Sequence, residues 1–251
     1  MHATGTEEEY IEKAIAEGVK ILGFADHAPY PYPNGYVSTY KMTLDEAGDY
    51  YNTLSALREK YKDKIKILIG YEAEYYEDLW DVVLLAWRSF PPEYLILGQH
   101  FIGTEYDRTR AVHSYSNRGR DEFITEYVNT VIKGIKTGKF TYVAHPDVFT
   151  HSGSLIEYER EMSRLIEAAI AEDVPLEINL LGVYEGRPYP RLDFWRLAGK
   201  YGAKVVLGCD AHSPNRVAEA WEIAKAMDIV EKCRLDLCET VKLRDPLACY
   251  P

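Results

Sequence analysis

Six short apolar runs in this chain each end in a residue that can hold a cation or move a proton. "VKILGFADH" ends at Asp26 and His27, "KIKILIGYEAE" at Glu72 and Glu74, and "EYLILGQH" at His100. "FTYVAH" ends at His145, "VPLEIN" at Glu177 and Asn179, and "AKVVLGCDAH" at Asp210 and His212. Each run has the length and composition of a β-strand. The stretches between them, 7–18, 44–62, 119–137, 155–172, 191–201 and 216–226, read as helices. Thr6 with Glu9 forms a capping-box signature at the first of these, and Gly18 stands where it should stop. Strands alternating with helices predict an α/β fold with a parallel sheet and the helices outside it. In a closed barrel of that kind the carboxyl ends of the strands converge on one face, where active sites are built. The expectation is one barrel domain over residues 1–251, with a shared metal site at the strand ends.

Composition narrows the partners. The chain has 251 residues, of which 47% are hydrophobic, and a net charge of −11. Its length suits a single barrel with a sizeable core. The negative field repels nucleic acid backbones and membrane surfaces, and bound divalent cations would offset part of it. The four cysteines, Cys209, Cys233, Cys238 and Cys249, lack paired metal-knuckle spacing and read as reduced thiols of a cytoplasmic protein. Residues 2–20 are too charged for a signal peptide, and no apolar run reaches the roughly 18 residues of a membrane span.

The candidate ligands are His2, His27, Glu72, His100, His145, Asp210 and His212. Imidazoles and carboxylates without thiolates suit zinc, manganese or iron. Seven ligands exceed what one four-coordinate ion takes, which points to two or three divalent ions, with Glu72 able to bridge a pair. Asp210 and His212 are two apart, so in an extended strand both face one side. Ions about 3.5–4 Å apart clamp a phosphate oxygen and turn a bound water into hydroxide near neutral pH, which makes phosphoester hydrolysis the leading chemistry. No nucleophile elbow or Gly-rich phosphate loop competes with it. Glu72, Asp210 and His212 are the expected catalytic groups. His113 and His151 lie in loops, either to touch substrate or to face solvent. Asn179 either lines the pocket or stitches a loop. Glu74 reads as lying behind the ligands. Asp26 either orients an imidazole or accepts backbone hydrogen bonds, and Asp147 either donates a proton to the leaving alkoxide or caps a turn. The insert "PYPYPNGYVSTYKMT" at 29–43 can lid a pocket around a small substrate, and "WDVVLLAW" reads as helix core.

"GFADHAPY", "IGYEAEYY", "LGQHFIG", "VAHPDVF", "LEINLLG" followed by "RPYP", and "VVLGCDAHSP" resemble, in order, the motifs of the polymerase-and-histidinol-phosphatase (PHP) superfamily. Within it they are most similar to the histidinol-phosphate phosphatases. The resemblance runs from His2 to at least residue 216. It implies a distorted, TIM-like seven-stranded (β/α) barrel, a trinuclear metal site, and hydrolysis of L-histidinol phosphate to L-histidinol and phosphate in histidine biosynthesis. It also places Arg187 and Arg191 in the substrate loop, where a guanidinium suits phosphate. Family members begin with a strand bearing a His-x-His pair, then an Arg-Cys-x-His loop, then the Glu-rich helix. "HATGTEEEYIEKA" matches the later part, so His2 corresponds to the loop histidine, and the first strand has no counterpart here. Met1 then reads as an internal methionine used as a start, with a degenerate paralogue or a first strand donated by a partner chain as the alternatives. The expected consequences are a gap in the barrel wall and weakened coordination of one ion. The alternative activities are phosphotyrosine or nucleotide hydrolysis on the same fold, or binding without turnover.

Overall fold

The computed structural model describes residues 3–107, 111–116 and 121–248. Along these the chain forms α1 (Glu7–Ala16), β1 (Ile21–His27), α2 (Leu44–Tyr61), β2 (Lys66–Ala73), α3 (Trp80–Ala86), β3 (Tyr94–Leu97), β4 (Phe101–Ile102) and β5 (Val112–His113). It continues through α4 (Ile124–Lys136), β6 (Phe140–Val143), α5 (Leu155–Ala171), β7 (Leu176–Asn179), α6 (Leu180–Glu185), α7 (Leu192–Tyr201), β8 (Lys204–Gly208), α8 (Ala220–Cys233) and β9 (Asp236–Leu237).

Among the described residues seven parallel strands form one curled half-barrel in the order β1-β2-β3-β6-β7-β8-β9, and β4 and β5 pair as a separate antiparallel ribbon. All six expected strands are present. Parallel pairing in chain order puts every carboxyl end on one face. The register does the rest: His27 lies opposite Glu72 across β1 and β2, and Asn179 opposite Gly208 across β7 and β8. Ile69, Leu95, Phe140, Leu176, Ile178 and Val205 are fully buried, as expected of strands covered on both faces.

The helices form where local chemistry favours them. Thr6 and Glu9 make the expected capping box on α1, and Thr43 with Glu46 makes a second on α2. In α4 the buried residues Ile124, Tyr127, Val128, Val131 and Ile135 fall at helical spacing and form one apolar stripe. The helix expected over 216–226 begins later. Pro214–Arg216 forms a 3₁₀ turn and Ala218 takes φ +54°, so α8 starts at Ala220 and runs on to Cys233. A left-handed alanine cannot continue a right-handed helix, and that sets the boundary.

One strand of the sheet was not read from the sequence. β9, two residues long, extends the sheet beyond β8. The outer edges of β1 and β9 pair with no further strand among the described residues, and Ile21 in β1 is 49% exposed. Cys209, Cys233 and Cys238 are free thiols; Cys249 lies outside the described residues, as does His2. No helix among the described residues is long and apolar enough to cross a membrane.

Candidate metal centre

The site is built around Glu72 near the end of β2. His27 Nδ1 lies 3.1 Å from its Oε2. His145 Nε2 lies 2.9 Å and His100 Nε2 3.7 Å from its Oε1. Ligand atoms of His27, Glu72 and His100 all lie within 4.8 Å of one another. The rings interleave edge to face, His27 to His100 at 5.2 Å and His100 to His145 at 4.9 Å. Three imidazoles from β1 and from the segments after β3 and β6 thus meet one carboxylate from β2.

Glycine gives Glu72 its room. At Gly98, just past β3, a Cβ would overlap the Glu72 carboxylate, and at Gly208 a Cβ would overlap that of Glu177. The two carboxylates can therefore each cross the end of a neighbouring strand. Glu177 accepts hydrogen bonds from His145 N at 2.9 Å and Asn179 Nδ2 at 3.0 Å. Asn179 Nδ2 also donates to Asp210 Oδ2 at 3.1 Å, while its Oδ1 caps α6 by accepting from Gly182 N. His145 and Asp210 sit in left-handed backbone, φ +30° and +44°. Non-glycine residues hold such conformations where the surroundings over-determine them, and Glu177 with Asn179 does so here for both.

Electrostatics centre on the same groups. Burial alone would raise the Glu72 carboxyl, but the three imidazoles outweigh it and hold it well below the usual carboxylate range. Burial pulls His145 down, yet its hydrogen bond to Glu72 and the charges of Glu72, Glu177 and Asp210 leave it up at about 9. Burial and the neighbouring imidazoles keep His100 well below its ordinary value despite Glu72. Burial pushes Glu177 up to about 7. The donor set fits a divalent cation. It contains imidazole nitrogens and carboxylate oxygens, and His100 Nδ1 and His145 Nδ1 are buried with no hydrogen-bond partner among the described residues.

The other expected residues distribute as follows. His27, Glu72, His100, His113, His145, Arg187, Asp210 and His212 all line one cavity of about 500 Å³. Asp210 does not continue β8 as an extended residue. The strand ends at Gly208 and the backbone turns left-handed, which lets His212 Nδ1 fold back to within 2.9 Å of Asp210 O. Thr4 N donates to His212 O at 2.9 Å, tying the start of the described chain to this end of the sheet. Arg187 donates to Glu185 and Tyr189 OH, each at 2.6 Å, and its guanidinium lies 5.4 Å from the Tyr115 ring centre. Asn179 stands behind Asp210, outside the cavity lining. Arg191 and His151 are outside it too. Arg191 Nη1 donates to His151 O, its guanidinium lies over the Tyr158 ring, and His151 meets Asp121. Asp26 accepts the backbone N–H of His27 at 2.9 Å, and Asp147 accepts that of Arg191 at 2.6 Å, burial pushing its carboxyl up to about 6. Tyr40, Tyr115, Tyr189, Glu185, Val148 and Leu181 complete the wall. Tyr40 belongs to the 29–43 insert expected to lid a pocket; Tyr115 and Tyr189 carry no mark in the sequence, because tyrosines occur throughout the chain, 21 in all.

A parallel α/β sheet with imidazoles and carboxylates gathered at its carboxyl ends defines a class of proteins that bind metal on a curled barrel. The model of the PHP domain matches residues 1–180, and this chain belongs to the PHP domain family. It is 26% identical over 219 residues to a probable histidinol-phosphatase of Deinococcus radiodurans, covering 86% of this chain and 84% of that protein. It is 27% identical over 248 residues to the histidinol-phosphatase of Bacillus subtilis, covering 86% of this chain and 91% of that one. Its fold is that of the histidinol phosphate phosphatase of Lactococcus lactis, solved with zinc, L-histidinol and phosphate: TM-score 0.70, 21% identity, 97% of this chain and 92% of that chain covered.

Proposed function

We propose that this chain is a metal-dependent phosphomonoesterase that converts L-histidinol phosphate and water to L-histidinol and phosphate, a step of histidine biosynthesis. The observation that carries the reading is the ring of His27, His100 and His145 around Glu72 at the floor of a cavity with Arg187 in its wall. The similarity to histidinol-phosphatases names the substrate.

Residues His27, Glu72, His100, His145, Asp210 and His212 are the ligands, with His2 a seventh candidate. Two or three divalent ions of zinc, manganese or iron suit that donor set. A bound divalent ion there supplies Lewis acidity toward a phosphoryl oxygen and lowers the pKa of a coordinated water. Glu72, as the hub, fixes the separation of the imidazoles. Asp210 and His212 would serve the reaction by holding an ion at their end of the cavity: His212 Nδ1 is engaged by Asp210 O, so Nε2 is the nitrogen to take the ion, and Asp210 Oδ2 is engaged by Asn179 Nδ2. Arg187 offers its guanidinium to the phosphate, a planar donor for a planar pair of acceptors. His113, in the wall beside Phe101 and His100, faces the rest of the ester, and Asn179 holds Asp210 in place.

Phosphate release tests this directly. Protein stripped with chelator and reloaded with manganese or zinc should release phosphate from L-histidinol phosphate faster than from phosphotyrosine or a nucleoside monophosphate. Metal binding without release from any of the three would mark a chain that binds without turnover. Preference for phosphotyrosine would redirect the substrate.

A further inference from the structure

The segment between β1 and α2 holds Tyr30, Tyr32, Tyr36 and Tyr40, and beside the last of them the most enclosed lysine or arginine among the described residues. Lys41 is 5% exposed. Its ammonium lies 2.5 Å from Glu74 Oε1 and 2.8 Å from Glu105 Oε2, and 3.0 Å from Tyr32 OH. The rings of Tyr30, Tyr76, Tyr40 and Tyr32 surround it at 4.9, 5.2, 5.3 and 5.7 Å. Both carboxylates are fully engaged. Glu74 takes the backbone N–H of His100 and Phe101 at 3.1 and 2.8 Å, and Tyr40 OH at 3.3 Å. Glu105 takes Tyr32 OH, Tyr36 OH and Ser38 Oγ at 2.8, 3.0 and 2.6 Å.

One charge cluster therefore joins three pieces of chain: the tyrosine-rich segment, the end of β2, and the loop after β4. A packed apolar residue would hold a loop down with less desolvation. What the ions add is direction, since each hydrogen bond fixes an angle as well as a distance. The direction matters because of what stands next to Lys41. The Tyr40 ring lies edge-on to His27 at 5.0 Å, 6.4 Å from His100, and stacks on Phe101 at 6.3 Å. It forms one side of the metal cavity.

We propose that the buried Lys41–Glu74–Glu105 cluster anchors residues 29–43 as a fixed wall of the cavity, with Lys41 a positioning residue that sets Tyr40 against the His27 and His100 rings and so limits the size of the ester admitted. The size limit rests on the phosphatase reading above; the anchoring does not. A cavity of about 500 Å³ lies in the lower half of the range that ligand sites span, roughly 300–1,000 Å³, and swinging Tyr40 away is the way to enlarge it on this side.

Two measurements on the metal-loaded protein test the proposal, in wild type, Lys41→Met, Glu105→Gln and Tyr40→Ala. Hydrogen exchange followed by mass spectrometry should show the amides of 36–43 exchanging at least about tenfold faster in Lys41→Met and Glu105→Gln, with peptides of α5 and β7 unchanged. Steady-state kinetics on L-histidinol phosphate and the larger 4-methylumbelliferyl phosphate should show the aryl ester gaining, relative to the smaller one, at least about fivefold in kcat/KM in Glu105→Gln and Tyr40→Ala, mainly through KM. Should Lys41→Met fail to fold, the milder Glu105→Gln and Tyr40→Ala still decide. Unchanged exchange over 36–43 in a folded Glu105→Gln overturns the anchor. Faster exchange with no change in the ester ratio overturns the size limit. If wild type released phosphate from neither ester, the phosphatase reading would fail, and the exchange data alone would judge the anchor.

Discussion

Glu72 and Glu105 are both buried carboxylates, and their neighbours give them opposite duties. Around Glu72 stand three imidazoles, which can share their lone pairs with a cation; around Glu105 stand an ammonium and three hydroxyls, all donating to it. Changing Glu72 to Gln keeps the volume and removes the charge. Supporting groups around bound metals typically contribute about 10–100-fold in affinity, so loss of the hub should weaken zinc binding by at least about 100-fold, read by titration calorimetry. Glu105 should declare itself through pH. Burial alone would raise its carboxyl, but Lys41 and the hydroxyls bring the net shift below the ordinary value. Because the folded-state value is the lower one, its contribution to stability is whole above the unfolded carboxyl value of about 4.3 and fades as pH falls through the folded value. The melting difference between wild type and Glu105→Gln should thus hold steady from about pH 5 to 7 and shrink below about pH 4. A difference that grew on acidification would contradict the pairing with Lys41.

At the scale of strands and helices, neighbouring strands make the site by lending each other space. Gly98 ends the β3 run where the Glu72 side chain must pass. Alanine there costs the strand backbone nothing, since glycine is the less favourable strand residue by roughly 0.5–1 kcal/mol, yet it pushes the carboxylate out of its place between the imidazoles. Gly98→Ala should lower zinc affinity by about 10–100-fold while the metal-free protein melts close to wild type. Gly138→Ala is the matching control: φ is +70° with open space around it, so it should cost about 1 kcal/mol of stability and leave zinc affinity alone. Equal affinity in the two variants would mean that Glu72 does not need the gap.

The same strands separate what the amino-acid sequence makes visible from what it hides. A strand that is apolar throughout and stops at His or Glu announces both its structure and its end, so β1, β2, β3, β6, β7 and β8 and the groups at their tips were legible. The two-residue strands β4, β5 and β9 carry no periodicity to read. Neither do the left-handed turns at His145 and Asp210, which are ordinary residues held in place by Glu177 and Asn179. The Lys41 cluster was invisible because its carboxylates lie 33 and 64 residues along the chain; only the fold brings them to it.

Across the whole molecule the proposed ligands run from His27 to His212 and come from both halves of the sheet. In the unfolded chain they are scattered, so a metal ion binds the native state almost alone, and binding becomes stability. At a free concentration of 100 times Kd, one such site adds about 2.7 kcal/mol. A domain of this size gains about 2–4 °C per kcal/mol, which predicts a rise of about 5–10 °C when chelator-treated protein receives zinc or manganese. The rise should be largest where the sheet is least self-sufficient. β1 supplies His27 and has only one strand partner among the described residues, so its amides should gain more exchange protection from metal than those of β6, which is paired on both sides. Scanning fluorimetry reads the first effect, and hydrogen exchange reads the second. Repeating both in Glu72→Ala separates this centre from adventitious binding, since a thermal shift that survives the substitution would put the stabilising ion somewhere other than among these strand ends.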